Sequence, residues 1–199
     1  DMDVGLMEQV KLATMAKLPD DKTLRDYMTE EEYTNYRAFI IDTLGIKESK
    51  LSTYDMLKPF YAYSMIMLEA IDEDMKMYEQ ELTKMAKKNK MEIVGLETIE
   101  FQMSLVDDIP INEQVKMFLV NDEGINIVEE YHKTVDLYKS QNINATYELT
   151  KADESEEYKD FIDKFLTQRN IKWIPIIVKA INKEPTFIAV GAAHLAGED

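Results

Sequence analysis

The chain is 199 residues long, enough for one domain with a sizeable core, and its 45% hydrophobic and 31% charged residues read as soluble and globular. A formal charge of −16 sets it against phosphate backbones and anionic membrane surfaces, so nucleic acid is not an expected partner and a cationic ligand or metal ion is easier to admit. The absence of cysteine excludes disulfides, thiolate metal sites and a cysteine nucleophile, and no apolar run approaches the about 20 residues of a membrane helix.

Six glycines and five prolines favour long helices over many hairpins. Asp1-Met2-Asp3 opens without an initiator, and no signal peptide is visible in the sequence. Val4, Leu6, Met7, Val10, Leu12, Met15 and Leu18 form a helical stripe that Pro19-Asp20-Asp21 breaks. Thr23 to Met28 reads as a short turn or strand. Thr29 followed by Glu30-Glu31-Glu32 is a capping box that opens a helix running to about Leu44, with Gly45 as its C-terminal glycine. Lys50 to Lys58 leads into a helix near Pro59, whose apolar face carries Phe60, Tyr63, Met67, Leu68 and Ile71. A further helix over 72–88 ends in Lys87-Lys88-Asn89, cations suited to a helix C-terminus and a left-handed cap.

Met91 to Leu96 then reads as a strand, and a helix feeding a β-branched run is the mark of an α/β domain. Helical periodicity returns from Asn112, through Val115, Phe118 and Leu119, then Ile125, Val128, Tyr131 and Val135. Ser140 to Thr150 has no clear pattern. Asp153 to Asn170 is helical, and Trp173 to Ile181 continues at helical spacing, with Pro175 expected to kink or restart the helix. After the turn at Lys183-Glu184-Pro185, Thr186 to Val190 is an unbroken apolar run, which predicts a strand covered on both faces. Gly197-Glu198-Asp199 reads as the start of another element, so the sequence is expected to be a fragment or processed form.

Both expected strands end on a glycine with a polar group within three residues: Gly95-Leu96-Glu97 and Gly191-Ala192-Ala193-His194. Ligands of α/β sheets bind at the carboxyl ends of strands, which makes Glu97 and His194 candidate site residues. His194 is otherwise a histidine that satisfies backbone groups at a turn. A carboxylate after a buried strand needs a charge partner or a metal. Glu97 therefore reads as a site residue, as an ion pair with Arg169, or as a helix cap. Glu100 shares a face with Glu97 if the chain turns helical there. Carboxylate and imidazole together suit a divalent transition metal or acid–base chemistry, although two donors do not close a metal site. Arg169 is either a helix C-terminal cation or a group that orients a substrate carboxylate or an oxyanion. His132, among Glu129, Glu130, Lys133 and Asp136, is a solvated side chain. The thirteen methionines are pliable core filler, and the Asn144-Ala145-Thr146 sequon carries no weight outside a glycosylating pathway.

Val94-Gly95-Leu96-Glu97-Thr98-Ile99-Glu100, with Gln102, resembles the GLET-x-E-x-Q segment of the TraB/GumN family. Arg169-Asn170 with Trp173 and Ile177 resembles that family's arginine-asparagine helix, and Ala189 to Asp199 resembles its closing VGAAHL-x-GE motif. The family is related to the Tiki proteases and to the ChaN and erythromycin-esterase-like proteins. The resemblance implies a single domain over 1–199, incomplete at both ends, of α/β class: a central sheet with buried strands covered by helices, helix-rich, with a helical elaboration. It implies a site of two G-x-x-H motifs and a glutamate, with His194 and Glu97 as metal residues and manganese, cobalt or zinc as the ion. Two departures stand out: the first G-x-x-H is absent from this sequence, and Phe101 stands where a second acidic residue is common.

The expected function is a metal-dependent, peptidase-like hydrolase acting on a peptide or small molecule, with Glu97, Glu100, Arg169 and His194 as catalytic candidates. Glu97 would ligate the ion or activate its water, and Arg169 would orient substrate or stabilise charge. The alternative is a non-catalytic protein that binds or sequesters a peptide on the same scaffold. A third reading is a structural domain in which Glu97 pairs with Arg169 and does nothing else. Relatives of this kind place the protein outside the cytoplasm of a bacterium, periplasmic or lipid-anchored, with any membrane anchor outside this sequence.

Overall fold

The computed structural model describes residues 6–71, 76–119, 127–150 and 156–196. The chain divides into two compact units, one built from Met2–Met75 and Glu100–Val128, the other from Lys76–Ile99 and Glu129–Asp199. Readings that fall on 1–5, 72–75, 120–126, 151–155 or 197–199, including the element start at Gly197, lie outside the described residues.

In the first unit, α1 (Leu6–Met15) ends before a break at which Asp20 and Asp21 both take positive φ, 57° and 54°. The chain beyond is pinned by an isolated antiparallel bridge between Lys17 and Leu57 and by the Leu24 amide, which donates to the Asp55 carbonyl at 2.8 Å. Leu24–Tyr27 is a 3-10 turn, settling the choice left open there. The capping box forms as its residues predict. The Glu32 amide donates to Thr29 Oγ1 at 3.2 Å, and the Thr29 amide to Glu32 Oε2 at 2.7 Å. It opens α2 (Glu30–Ala38), which passes into a π turn (Phe39–Thr43) and stops at Gly45 with φ of 67°. After α3 (Leu51–Tyr54), Pro59 occupies the first turn of α4 (Pro59–Ala70), where its missing N–H has no helical partner to lose. The core gathers around Leu24, Ile40 and Ala62, all fully buried, each large apolar side chain contributing roughly 1.5–3 kcal/mol. Helices α6 (Ile99–Asp107) and α7 (Ile111–Phe118) also belong to this unit, apart from Ile99. Phe118 packs edge-on against Phe60 of α4, with ring centroids 5.4 Å apart.

In the second unit, α5 (Tyr78–Lys88) ends as expected on its two lysines. Asn89 caps it by donating Nδ2 to the Met85 carbonyl at 2.8 Å. The left-handed residue is Lys90, with φ of 55°, and not Asn89. Then come α8 (Ile127–Lys139), which belongs to this unit apart from Ile127 and Val128, α9 (Ile143–Thr150) and α10 (Glu156–Ile162). A π turn (Asp163–Thr167) joins α10 to α11 (Gln168–Lys183), so Arg169 is no terminal cation of a separate helix. Pro175 sits inside α11 and does not restart it.

The α/β expectation with a central sheet is wrong: the structure is helix-rich, and no strand or sheet occurs among the described residues. Met91–Leu96 and Thr186–Val190 carry no ladder, and most of their apolar residues are exposed, Val94 being 70% and Phe187 71% exposed. The physical reason is that β-branched composition supplies a fit to a pleated, half-buried surface and supplies no partner. A strand is held by its neighbour's hydrogen bonds, and an apolar run read alone carries no information on whether that neighbour is there. No helix of the described residues is long and apolar enough to cross a membrane.

Candidate functional site

One turn of α11 organises the second unit's polar cluster. Arg169 and Trp173 are four residues apart and share a helix face, and Asn170 lies three before Trp173. Arg169 Nε donates to both oxygens of Glu97, at 3.0 and 3.2 Å, and Nη2 adds a close contact to Oε1. Trp173 Nε1 donates to Glu97 Oε2 at 3.1 Å. The third guanidinium nitrogen, Nη1, donates to the Phe165 carbonyl at 3.0 Å, at the π turn. The guanidinium carbon also sits over the Trp173 ring, 5.0 Å from its centroid. Both charges are withdrawn from water: the Glu97 side chain is 8% exposed and that of Arg169 14%. The pair is therefore bidentate and buried, the arrangement in which a carboxylate and a guanidinium satisfy one another.

His194 belongs to a 3-10 turn (Ala192–Leu195) that follows Gly191. Its ring lies against Trp173, with centroids 4.5 Å apart, and its Nδ1 is 2.9 Å from Asn170 Oδ1. Asn170 Nδ2 donates to the His194 carbonyl at 3.1 Å. Burial pushes the imidazole pKa down to about 4, the Arg169 charge acts the same way, and Glu97 opposes them. The ring is thus neutral near pH 7.

The two glycines do different work. A Cβ on Gly95 would stand 3.0 Å from the Glu97 carbonyl oxygen, a backbone atom with little freedom to yield. A Cβ on Gly191 would meet only His194 Cδ2 at 3.6 Å, an ordinary contact.

Trp173 touches both Glu97 and His194, so these two candidates and Arg169 form one cluster around α11. They stand at a bend and at a 3-10 turn, however, and not at strand ends. Glu100 belongs to the first unit, in the first turn of α6, and pairs with Lys11 at 2.9 Å. His132 is exposed, as its neighbours imply. Asn170 and Trp173 were absent from the candidate residues read from the sequence. Their spacing from Arg169 was the available signal, because it puts all three within one helical turn.

The chemistry of the donors decides how well a divalent metal fits. His194 fits: a neutral imidazole with one nitrogen tied to an amide oxygen is the usual state of a metal-binding histidine. Both Glu97 oxygens accept hydrogen bonds, from Arg169 and from Trp173. Among the described residues no three His, Asp or Glu side chains are grouped to hold an ion.

The class defined so far is a helix-rich protein with a buried ion pair and a neutral imidazole held by one helical turn. The chain matches the TraB/PrgY/gumN family over residues 1–199 and belongs to it. No curated protein and no solved structure matches it.

Proposed function

We propose that this family member is a metal-dependent, peptidase-like hydrolase in which His194 Nε2 is a ligand of a divalent ion, manganese, cobalt or zinc. The observation that carries the reading is the state of His194: neutral, with Nδ1 engaged by Asn170 and the ring braced on Trp173. A bound ion of this kind polarises a carbonyl and acidifies its water toward neutral pH. Glu97, Arg169 and Trp173 act around that imidazole as a fixed charged brace. Arg169, which donates to Glu97 and to the Phe165 carbonyl, orients the Glu97 carboxylate in this reading. Glu100 has no role in this reading. A bacterial, extracytoplasmic setting and a peptide substrate belong to the same proposal.

The test is metal titration by calorimetry together with turnover of a peptide library, on the chain and on His194→Ala. Saturable binding and chelator-sensitive turnover, both lost in the variant, are expected. Metal binding unchanged by His194→Ala would refute the assignment. The alternative, a non-catalytic peptide binder, draws on the exposed apolar side chains Val94, Phe187 and Leu195. It predicts peptide binding that is indifferent to chelator, with no turnover.

A further inference from the structure

We infer that Asn170 is a positioning residue that fixes the neutral His194 ring as its Nδ1–H tautomer and leaves Nε2 as the lone-pair nitrogen. The His194 carbonyl is a group whose hydrogen-bonding role cannot change. A backbone carbonyl only accepts, so the end of the Asn170 side chain that faces the His194 carbonyl, 3.1 Å away, is the amide NH2. That fixes the rotation of the side-chain amide. Its other end, 2.9 Å from His194 Nδ1, is then the amide oxygen, which also only accepts. Between an amide oxygen and a ring nitrogen at that distance, the ring must supply the hydrogen. Nδ1 therefore carries the proton, and in the neutral ring Nε2 does not.

One side chain thus reads the backbone of the 3-10 turn and sets the proton on the ring of the same residue. The tautomer stands on these two contacts alone. The use of the Nε2 lone pair to hold a metal ion rests on the proposed hydrolase reading.

The experiment is long-range proton–nitrogen correlation NMR of the whole chain with nitrogen-15-labelled histidine, at neutral pH. The chain has two histidines, and the exposed His132 serves as the internal reference. In the unsubstituted protein the His194 Nδ1 is expected at a protonated shift and Nε2 at an unprotonated one. Asn170→Ala removes the acceptor, and the ring is expected to move to a mixture of tautomers. Asn170→Asp restores an acceptor but has no NH2 for the His194 carbonyl. It is expected to keep the Nδ1–H ring although the tether to the turn is lost, a result that a purely structural role for Asn170 does not produce. An Nε2–H ring in the unsubstituted protein, or a ring unchanged by Asn170→Ala, would overturn the inference.

Titration of the same samples with zinc separates the two claims. Weakening of zinc binding by about 10- to 100-fold in Asn170→Ala is expected of a lost outer partner. An Nδ1–H ring that takes up no zinc would sustain the tautomer assignment and overturn the metal reading.

Discussion

Replacing Glu97 with glutamine removes one charge and keeps the shape of the side chain. In the structure that carboxylate accepts from Arg169 Nε, Arg169 Nη2 and Trp173 Nε1, and its side chain is 8% exposed. A glutamine oxygen continues to accept from one or two of these donors, but its NH2 faces an N–H. The guanidinium, 14% exposed, keeps the Phe165 carbonyl as its other partner. Hydrogen bonds to charged groups are worth about 1.5–3 kcal/mol each, and removing one member of a buried pair costs about 3–5 kcal/mol. Because part of the acceptor survives, the lower end, about 3 kcal/mol, is expected for Glu97→Gln. Urea unfolding followed by tryptophan fluorescence measures it directly, since Trp173 is the chain's one tryptophan and lies in the cluster. With a slope of about 1–3 kcal/mol per molar urea, the midpoint falls by roughly 1–3 M. Replacing both partners, Glu97→Leu with Arg169→Met, leaves no buried charge and is expected to recover most of the loss. A Glu97→Gln protein within about 0.5 kcal/mol of the parent would refute the reasoning, because it would mean the pair is solvated or unformed.

Three further outcomes are expected. The His194 pKa lies below its unfolded value, so the unfolded chain takes up the proton first. Stability is then full above about pH 6.5, falls as pH drops toward 4, and levels off below that; for a half-buried ring about 1–2 kcal/mol is expected, seen as a difference between the parent and His194→Phe in denaturation at pH 7 and pH 4.5. Gly95→Ala is expected to destabilise by about 1–3 kcal/mol through its contact with the Glu97 carbonyl, while Gly191→Ala is neutral, a contrast that thermal melts read side by side. Thr29→Ala removes the side-chain half of the α2 capping box and is expected to lower stability by about 1 kcal/mol in urea unfolding.

Local signals carried well from sequence to structure. Thr29 and Glu32 are three residues apart, and their bonds close within a single turn, so the start of α2 was readable without knowing anything else. Gly45 and Pro59 act on their own backbone dihedrals and were equally plain. The apolar runs at Met91 and Thr186 failed because a strand is a property of two segments, and the sequence describes only one at a time. The site was partly legible for the same reason. The Glu97–Arg169 pairing spans 72 residues and stood in the sequence as one alternative among several. What decided it was the spacing from Arg169 to Trp173, a local fact whose meaning appears only once Glu97 is beside it. Phe165 contributes a carbonyl, a group every residue carries, and no residue pattern announces that.

The π turn ahead of α11 has a consequence for how the cluster tolerates change in chain length. There the Gln168 amide reaches back five residues, to the Asp163 carbonyl, where an α-helix would reach back four. The segment therefore holds one residue that a plain helix would not. Delete one residue there, and the turn can close as plain α-helix with the downstream register kept; delete a second, and everything downstream is rewound by about 100° about the helix axis. With that second deletion Arg169, Asn170 and Trp173 would all turn away from their partners together, although none of the three had been altered. The aim of the cluster is set by a count of residues upstream of it, and a screen limited to substitutions would not detect that dependence.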